Sequence, residues 1–302
     1  MVYRNRNDII IFNKRIYMEY WNHIYEHFNP VALDLGFISV HWYGIMYISA
    51  LLVALWFAKW IIKKDNMPIS EPMIDAYFIW IEVGIILGAR IWYILFYDPN
   101  TSYYLIQPWQ IFNPFSNGEF VGIRGMSYHG AVVGATIGSY LFSRRNPGQI
   151  YKILDVVALA VPVGFVFGRI GNFLNQELVG RATDVPWGIY VDEVLRHPSQ
   201  LYEGFLEGIL IAILIYMYRK RRAFDGALIG IYGVLYGTAR FIAEFWREPD
   251  SQLGYLYGDW LTMGQIQSFI MILISIGAYL FLQVYAEKNI LEKRISKKKR
   301  AK

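Results

Sequence analysis

The sequence predicts an all-α polytopic membrane protein, and three observations support this prediction. Of the 302 residues, 55% are hydrophobic and only 18% are charged, whereas about a quarter of the residues in a soluble domain are charged. The apolar residues fall into blocks of about 17 to 24, the length that crosses roughly 30 Å of hydrocarbon. Short basic clusters follow several of these blocks, which is the topological signal of membrane proteins.

The apolar blocks predict about seven transmembrane helices, with boundaries good to a few residues. They cover 41–62, 75–97, 128–143, 152–170, 201–218, 226–246 and 262–285. We therefore expect one transmembrane domain over 41–285. Residues 1–40 form an N-terminal extension and extracytoplasmic lead-in, and 286–302 form a basic tail.

The loops on the two sides of the predicted bundle differ in their basic residues. One side carries basic clusters at 63–64, 144–152, 219–222 and 293–302. The opposite loops contain few arginines and lysines. The positive-inside rule then predicts a cytoplasmic C-terminus, an outer position for the end of the fourth helix and, with seven spans, an N-terminus outside.

One segment disagrees with this orientation. Arg4, Arg6, Lys14 and Arg15 lie on the predicted outer side although they are basic. We expect the native chain to begin at Met18, with residues 1–17 arising from a mis-assigned start. The intact mass of natively expressed protein tests this expectation, and a peptide covering residues 9–12 would contradict it.

Composition and motifs also limit the chemistry. The chain has no cysteine, so disulfides, thiolate metal sites and a thiol nucleophile from the protein itself are excluded. Histidine and acidic residues lack metal-ligand spacing, and neither a phosphate-binding Walker loop nor a serine nucleophile elbow is found. We expect chemistry without a metal or cofactor. The net charge of +5 comes from clusters at the ends of apolar runs, which does not favour nucleic-acid binding.

The segment 168–180 is the most informative part of the sequence. It follows the apolar run 153–167 and places Arg169, Asn172 and Gln176 on one helix face while the helix lasts. An ionisable residue at membrane depth is costly and usually marks a site, and a guanidinium suits a phosphate oxygen. The alternative is an arginine that extends to the membrane interface from a helix end.

The sixth predicted helix carries a second polar stripe. Tyr236, Arg240 and Glu244 follow at intervals of four, and Arg247 lies three residues further on. A second arginine at this depth favours a phosphate clamp. The alternative is an Arg240–Glu244 pair that neutralises itself.

Other candidate residues lie at the predicted outer ends of helices. His129 begins the third helix, where an imidazole would serve as a general base near neutral pH; the alternative is a hydrogen-bonded core histidine. Tyr43 places a phenol at the same level in the first helix. Glu203, near the start of the fifth helix after Pro198, is interpreted as helix-cap chemistry.

These residues resemble a known family, the bacterial phosphatidylglycerol–prolipoprotein diacylglyceryl transferases of lipoprotein maturation. The resemblance runs from about Pro30 to Gln283, and residues 168–180 meet the family signature Gly-Arg-x-Gly-Asn-Phe-x-Asn-x-Glu-x-x-Gly in full. Further matches follow in family order at 41–44, 126–130, 196–203 and 247–250. The chain departs from the family at Ala131, where a second glycine is common, and in a short loop over 180–196.

The resemblance implies a reaction and its partners. A diacylglyceryl group would move from phosphatidylglycerol to the thiol of the lipobox cysteine in a prolipoprotein signal peptide, forming a thioether and releasing glycerol phosphate. The protein would lie among the lipids of the bacterial plasma (inner) membrane, with its active site toward the outer face. No cofactor is implied.

The resemblance also suggests roles for single residues. His129 would accept or position the thiol proton, Arg240 oriented by Glu244 would face the reacting carbon–oxygen bond, and Tyr43 would lend a hydroxyl to the head group. The residues expected to bind phosphatidylglycerol are Arg169, Asn172, Glu177, Gly180, Arg247 and Tyr236.

Two other classes of function remain open from the residues alone. A transporter or flippase for an anionic lipid would also place arginines at membrane depth, but the sequence has no visible internal repeat. A structural or receptor-like membrane protein would leave the convergence of so many polar side chains unexplained.

Overall fold

The computed structural model describes residues 17–36, 39–116, 119–120, 122–123, 125–249 and 254–300. Residues 1–16 of the expected N-terminal extension lie outside this range, and with them all but one residue of the segment assigned to a mis-assigned start; Asp250 of the last family motif also lies outside it. The described part is mainly helical, and each predicted apolar block contains one long helix. These helices are α1 (Trp42–Lys64), α2 (Glu71–Phe96), α3 (Tyr128–Arg145), α4 (Ile150–Leu174), α5 (Ser199–Arg221), α6 (Ala227–Ala243) and α7 (Met263–Arg300).

Several of these helices can cross a membrane. Five stretches of the described chain are long and apolar enough: α1, α2, α4, α5 and residues Met263–Asn289 of α7. Helix α6 is apolar but shorter, with 17 residues. The fold is therefore that of a helical polytopic membrane protein, while the count of seven spans and the orientation of the termini stay predictions.

The loops contain short elements that the all-α prediction missed. Within the described ranges the strands form four two-stranded sheets, and these strands are too short for an alternating pattern to identify them in the sequence. They are β1 (Val31–Asp34), β2 (Ser39–His41), β3 (Phe115–Ser116), β4 (Glu119–Phe120), β5 (Ile189–Val191), β6 (Val194–Arg196), β7 (Tyr255–Tyr257) and β8 (Leu261–Thr262). Short helices span Ile24–His27, Thr101–Ile106 and Pro108–Phe112.

The chain divides into two compact units. The first contains the residues up to Leu33, residues 40–54 and residues from Ala158 onward, so it holds α5, α6 and α7. The second contains 34–39 and 55–157, and it holds α2 and α3.

In the second unit, α2 and α3 pack through glycines. A Cβ atom added to Gly134 would clash with the carbonyl oxygen of Gly84, and one added to Gly88 would lie 2.7 Å from Cα of Gly134. The two backbones are therefore in direct contact. Small residues at intervals of four allow this close approach between membrane helices, where van der Waals packing drives association.

In the first unit, the N-terminal lead-in packs on the end of α4. Tyr25, Phe173 and Ile189 form a buried cluster, and burial raises the pKa of the Tyr25 phenol. The Trp21 indole donates to the carbonyl of Trp187 at 2.8 Å. These contacts fix the polypeptide that leads out of α4.

Gln176 differs from its predicted position. Helix α4 ends at Leu174, and Gln176 takes a left-handed conformation with φ of 57°, so it does not continue the face of Arg169. Its side-chain amide donates to the carbonyls of Tyr25 at 3.0 Å and Phe28 at 3.2 Å. Gln176 therefore anchors the N-terminal lead-in, because the helix ends before the i,i+4 spacing applies.

The glycine packing predicts a stability difference. Gly134→Ala should destabilise the protein by about 1 to 3 kcal/mol because the added methyl overpacks the α2–α3 contact. Gly277→Ala is the control, since an added Cβ there meets nothing within 4 Å and alanine favours a helix. Thermal unfolding in detergent measures both variants, and equal midpoints for the two would contradict the prediction.

Candidate active site

The signature segment places its polar residues on the last turns of α4 and the chain just beyond. Arg169 Nη1 donates to Asn172 Oδ1 at 3.4 Å, and Asn172 Nδ2 donates to Glu177 Oε1 at 2.8 Å. The resemblance implies that all three residues bind phosphatidylglycerol, and in the structure they form one hydrogen-bonded chain. Asn172 therefore links the guanidinium to the carboxylate.

Glu203 on α5 connects three arginines. Its side chain is 0% exposed, and its Oε2 lies 2.8 Å from Arg169 Nη2. Its Oε1 lies 3.4 Å from Nη1 of Arg240 and also 3.4 Å from Nη1 of Arg247. The interpretation of Glu203 as helix-cap chemistry alone was therefore wrong, because its carboxylate is enclosed by guanidinium groups from other segments.

Glu207, one turn further along α5, faces two of the same arginines. Its carboxylate oxygens lie 3.6 Å from Arg169 Nη2 and 3.6 Å from Arg240 Nη1, and the side chain is 0% exposed. Residues Gly204–Leu210 of α5 form a π-helical segment, a feature often found at functional sites. The segment begins directly after Glu203 and contains Glu207.

Glu244 completes the set from the end of α6. Its Oε2 lies 2.6 Å from Arg240 Nη2, and its Oε1 accepts a hydrogen bond from Thr262 Oγ1 at 2.9 Å. A Cβ atom added to Gly264 would lie 2.6 Å from the carboxylate carbon, so glycine is required at this contact. The Arg240–Glu244 pair does exist, but it belongs to a larger arrangement.

We call these six side chains the arginine–glutamate cluster. Its members are Arg169, Arg240, Arg247, Glu203, Glu207 and Glu244. Their formal charges sum to zero, and this pairing of opposite charges offsets the cost of burying them. The arginine side chains are 13 to 17% exposed, while Glu203 and Glu207 are fully buried. An approaching anion would therefore meet guanidinium groups before carboxylates.

Aromatic residues border the cluster. The Arg169 guanidinium lies 4.7 Å from the centre of the Phe165 ring, and the Tyr236 ring packs edge-on against Phe165 at 5.7 Å. Tyr236 therefore borders the site through Phe165. Tyr43 on α1 is exposed and lies within electrostatic range of both Glu177 and Arg169.

Gly180 lies where three backbone segments meet. Its N–H donates to the carbonyl of His197 at 3.0 Å, and an added Cβ would lie 2.6 Å from the carbonyl oxygen of Trp246. Gly180, which is expected to bind phosphatidylglycerol, therefore lies at a point where the loop has no room for a side chain. Burial, and secondly the charge of Arg181, lowers the pKa of the neighbouring His197 imidazole.

Arg181 holds the end of α6 in place. Its Nε donates to the carbonyl of Arg247 at 2.9 Å and its Nη2 to the carbonyl of Glu244 at 3.0 Å. The loop that follows the signature therefore positions two members of the cluster through their main chain.

His129 belongs to the second unit. It is exposed in the first turn of α3, where the side chain of Ser127 caps the helix by accepting from the Gly130 N–H at 3.4 Å. Its predicted role as proton acceptor stays a prediction.

Sequence reasoning missed Glu207 and Arg181. Glu207 had a usable signal, since two carboxylates four residues apart within an apolar helix share one face and are costly there. Arg181 had no usable signal in the sequence, because its hydrogen-bond partners are main-chain carbonyl groups far along the chain. Among the described residues, no group of three or more histidine or acidic side chains is arranged to hold a metal ion.

The fold and the site define a class of protein, a helical membrane protein with a largely buried cluster of arginines and glutamates whose formal charges balance. The sequence model of the prolipoprotein diacylglyceryl transferase family matches residues 30–281, and the chain belongs to this family.

Proteins named phosphatidylglycerol–prolipoprotein diacylglyceryl transferase are similar over most of their length. The one from Aliarcobacter butzleri is 57% identical over 272 residues, which are 90% of this chain and 100% of that protein. The one from Wolinella succinogenes is 63% identical over 251 residues, 83% of this chain and 92% of that protein. The one from Campylobacter lari is 58% identical over 269 residues, 89% of this chain and 97% of that protein.

Proposed function

We propose that the protein is a transferase that moves the diacylglyceryl group of phosphatidylglycerol to the thiol of a prolipoprotein lipobox cysteine. A thioether forms and glycerol phosphate is released. One observation carries the proposal: Arg169 of α4 and Arg240 of α6 meet around the buried carboxylate of Glu203. Membership of the prolipoprotein diacylglyceryl transferase family supports the choice of this reaction.

The reaction needs a nucleophile and a way to stabilise a departing phosphate. The sulfur comes from the substrate, since the chain has no cysteine. Sulfur attacks carbon, the carbon–oxygen bond breaks, and its electron pair leaves with the phosphate. Guanidinium groups already fixed in a water-poor site stabilise that charge without reorganising, and one such donor contributes about 3 to 4 kcal/mol.

Two arginines have separate tasks in this mechanism. Arg169, positioned through Asn172 and Glu177, binds the phosphate of the lipid. Arg240, held by Glu244 at 2.6 Å, faces the bond that breaks. Both depend on carboxylates for their orientation, and the bidentate fork of arginine suits phosphate better than a lysine ammonium does.

The remaining residues shape the site. Tyr43 offers a hydroxyl to the head group, and Tyr236 and Arg247 contribute to binding phosphatidylglycerol. Gly180 allows the loop to approach closely. His129 accepts the thiol proton or positions the thiol, whose pKa of about 8.5 leaves only a few per cent of thiolate at neutral pH.

We propose that this reaction takes place at the outer face of the bacterial inner membrane. The apolar blocks predict seven spans, and the distribution of basic residues then predicts an outer N-terminus and a cytoplasmic C-terminus. Because the chain lacks cysteine, single introduced cysteines report topology without background. Val194→Cys should react with an impermeant thiol reagent from outside, whereas Glu292→Cys should react only after the membrane is permeabilised; the reverse pattern would contradict this orientation.

A transporter or flippase for an anionic lipid is the less favoured function. A transport path needs polar lining across both leaflets, whereas the arginine–glutamate cluster gathers at the ends of α4 and α6 and the first turns of α5. The relatives also carry the name of a transferase.

The phosphate role of Arg169 is testable by a charge-conserving change. Arg169→Lys keeps the charge but loses the planar fork, so we expect a roughly 100- to 1000-fold loss of kcat. The measurement is the mass increase of a cysteine-containing lipobox peptide incubated with purified protein and phosphatidylglycerol. Arg144→Lys, at an exposed position on α3, is the matched control, and near-normal transfer by Arg169→Lys would contradict the proposed clamp.

The proton role of His129 is testable by pH. His129→Asn should lose activity near neutral pH and recover it as pH rises, because the thiol then ionises without a base. The peptide mass assay between pH 6 and pH 9 would measure this, with exposed His27→Asn as the control. A loss that is equal at every pH would favour positioning over proton transfer.

A further inference from the structure

Glu207 is the acid that the cluster holds least tightly. Glu203 lies 2.8 Å from Arg169, and Glu244 lies 2.6 Å from Arg240 and also accepts a hydrogen bond from Thr262. Glu207 approaches its two arginines only to 3.6 Å. Among the described residues, neither oxygen of Glu207 has a hydrogen-bond partner; Oε2 of Glu203 and Oε2 of Glu244 also lack one, but the other oxygen of each of these two acids accepts a hydrogen bond.

The groups that face Glu207 determine its charge environment. Arg169 approaches it from α4, Arg240 from α6, and Glu203 from its own helix. Beyond these lie Glu244 and Tyr236, which interact with Arg240, and Arg247, which pairs with Glu203. Counted by formal charge, the three arginines and three glutamates of the cluster sum to zero before an anion arrives.

A bound phosphodiester would upset this balance. It brings one negative charge to a buried set that is already neutral, and an uncompensated charge in such surroundings is costly. Arginines remain protonated at any accessible pH. The balance is therefore restored when one carboxylate takes up a proton, and the carboxylate with the longest ion-pair distances and no hydrogen bond loses least by doing so.

We propose that Glu207 takes up a proton when the phosphate of phosphatidylglycerol binds to Arg169 and Arg240, so that lipid binding is coupled to proton uptake at this residue. This inference rests on the proposed function, because it assumes that the same arginines bind the lipid phosphate. Glu207 contacts guanidinium groups and lies behind them. It is therefore a positioning residue that sets how much positive charge the arginines present.

A binding measurement tests the inference without relying on catalysis. A soluble short-chain phosphatidylglycerol is titrated into the purified full-length protein by calorimetry between pH 5.5 and pH 8.5, in buffers that differ in ionisation enthalpy. For the wild type we expect a proton uptake that rises toward one per lipid at the alkaline end of this range, with an affinity that falls by up to about tenfold per pH unit as pH rises. Glu207→Gln imitates the protonated acid, so it should bind without proton uptake and with an affinity independent of pH.

Glu71→Gln is the matched control. Glu71 forms a partly exposed ion pair with Lys63 at 2.8 Å in the second unit, and surface pairs of this kind contribute little. This variant should keep the proton uptake and the pH dependence of the wild type. Thermal unfolding confirms that each variant is folded.

The outcomes separate this inference from the function on which it rests. The inference would be overturned if the wild type binds the lipid without taking up a proton. It would also be overturned if the Glu207→Gln variant still takes up a proton on binding, or if this variant is folded but binds the lipid at no pH. In each of these cases the lipid still binds to the wild type and the proposed function stands. A wild type that binds phosphatidylglycerol at no pH would overturn the proposed function itself. If Glu207→Gln does not fold, the proton count of the wild type alone decides.

Discussion

The rest of the site depends on the mutual neutralisation of arginines and glutamates within apolar helices. An isolated guanidinium at membrane depth is costly, and Arg169 and Arg240 are held there because α5 supplies Glu203 and Glu207 between them. Removing one partner would leave a buried charge unpaired, which costs about 3 to 5 kcal/mol in other proteins. The acids are thus a structural condition for the arginines that the proposed reaction uses.

The loops also hold the arginine–glutamate cluster in place. The segment after α4 turns back through two left-handed residues, Gln176 and Leu178, and then runs beside the end of α6, where Gly180 pairs with Arg247. The Arg181 side chain donates hydrogen bonds to main-chain carbonyl groups at this end of α6. The ends of α4 and α6 are therefore tied together by main-chain contacts as well as by charge, and the guanidinium groups are held in place before a ligand arrives.

The long helices and the polar signature could be predicted from sequence because both leave local patterns. Apolar length identified the helices, and the spacing of Arg169 and Asn172, and of Arg240 and Glu244, identified residues that do contact one another. The role of Glu203 could not be predicted in this way, since its three partners come from α4, α6 and the chain that follows. Gln176 was misplaced because the end of α4 depends on tertiary contacts with Tyr25 and Phe28.

The division of charge among α4, α5 and α6 has a consequence for biogenesis. Arg169 is synthesised before Glu203 and Glu207, and these acids are synthesised before Arg240. Helix α4 is therefore made before either of the acids that pair with Arg169, whereas α6 brings Arg240 to acids that are already present. Arg169 is neutralised only when α5 lies against α4, so the association of these two helices precedes completion of the site.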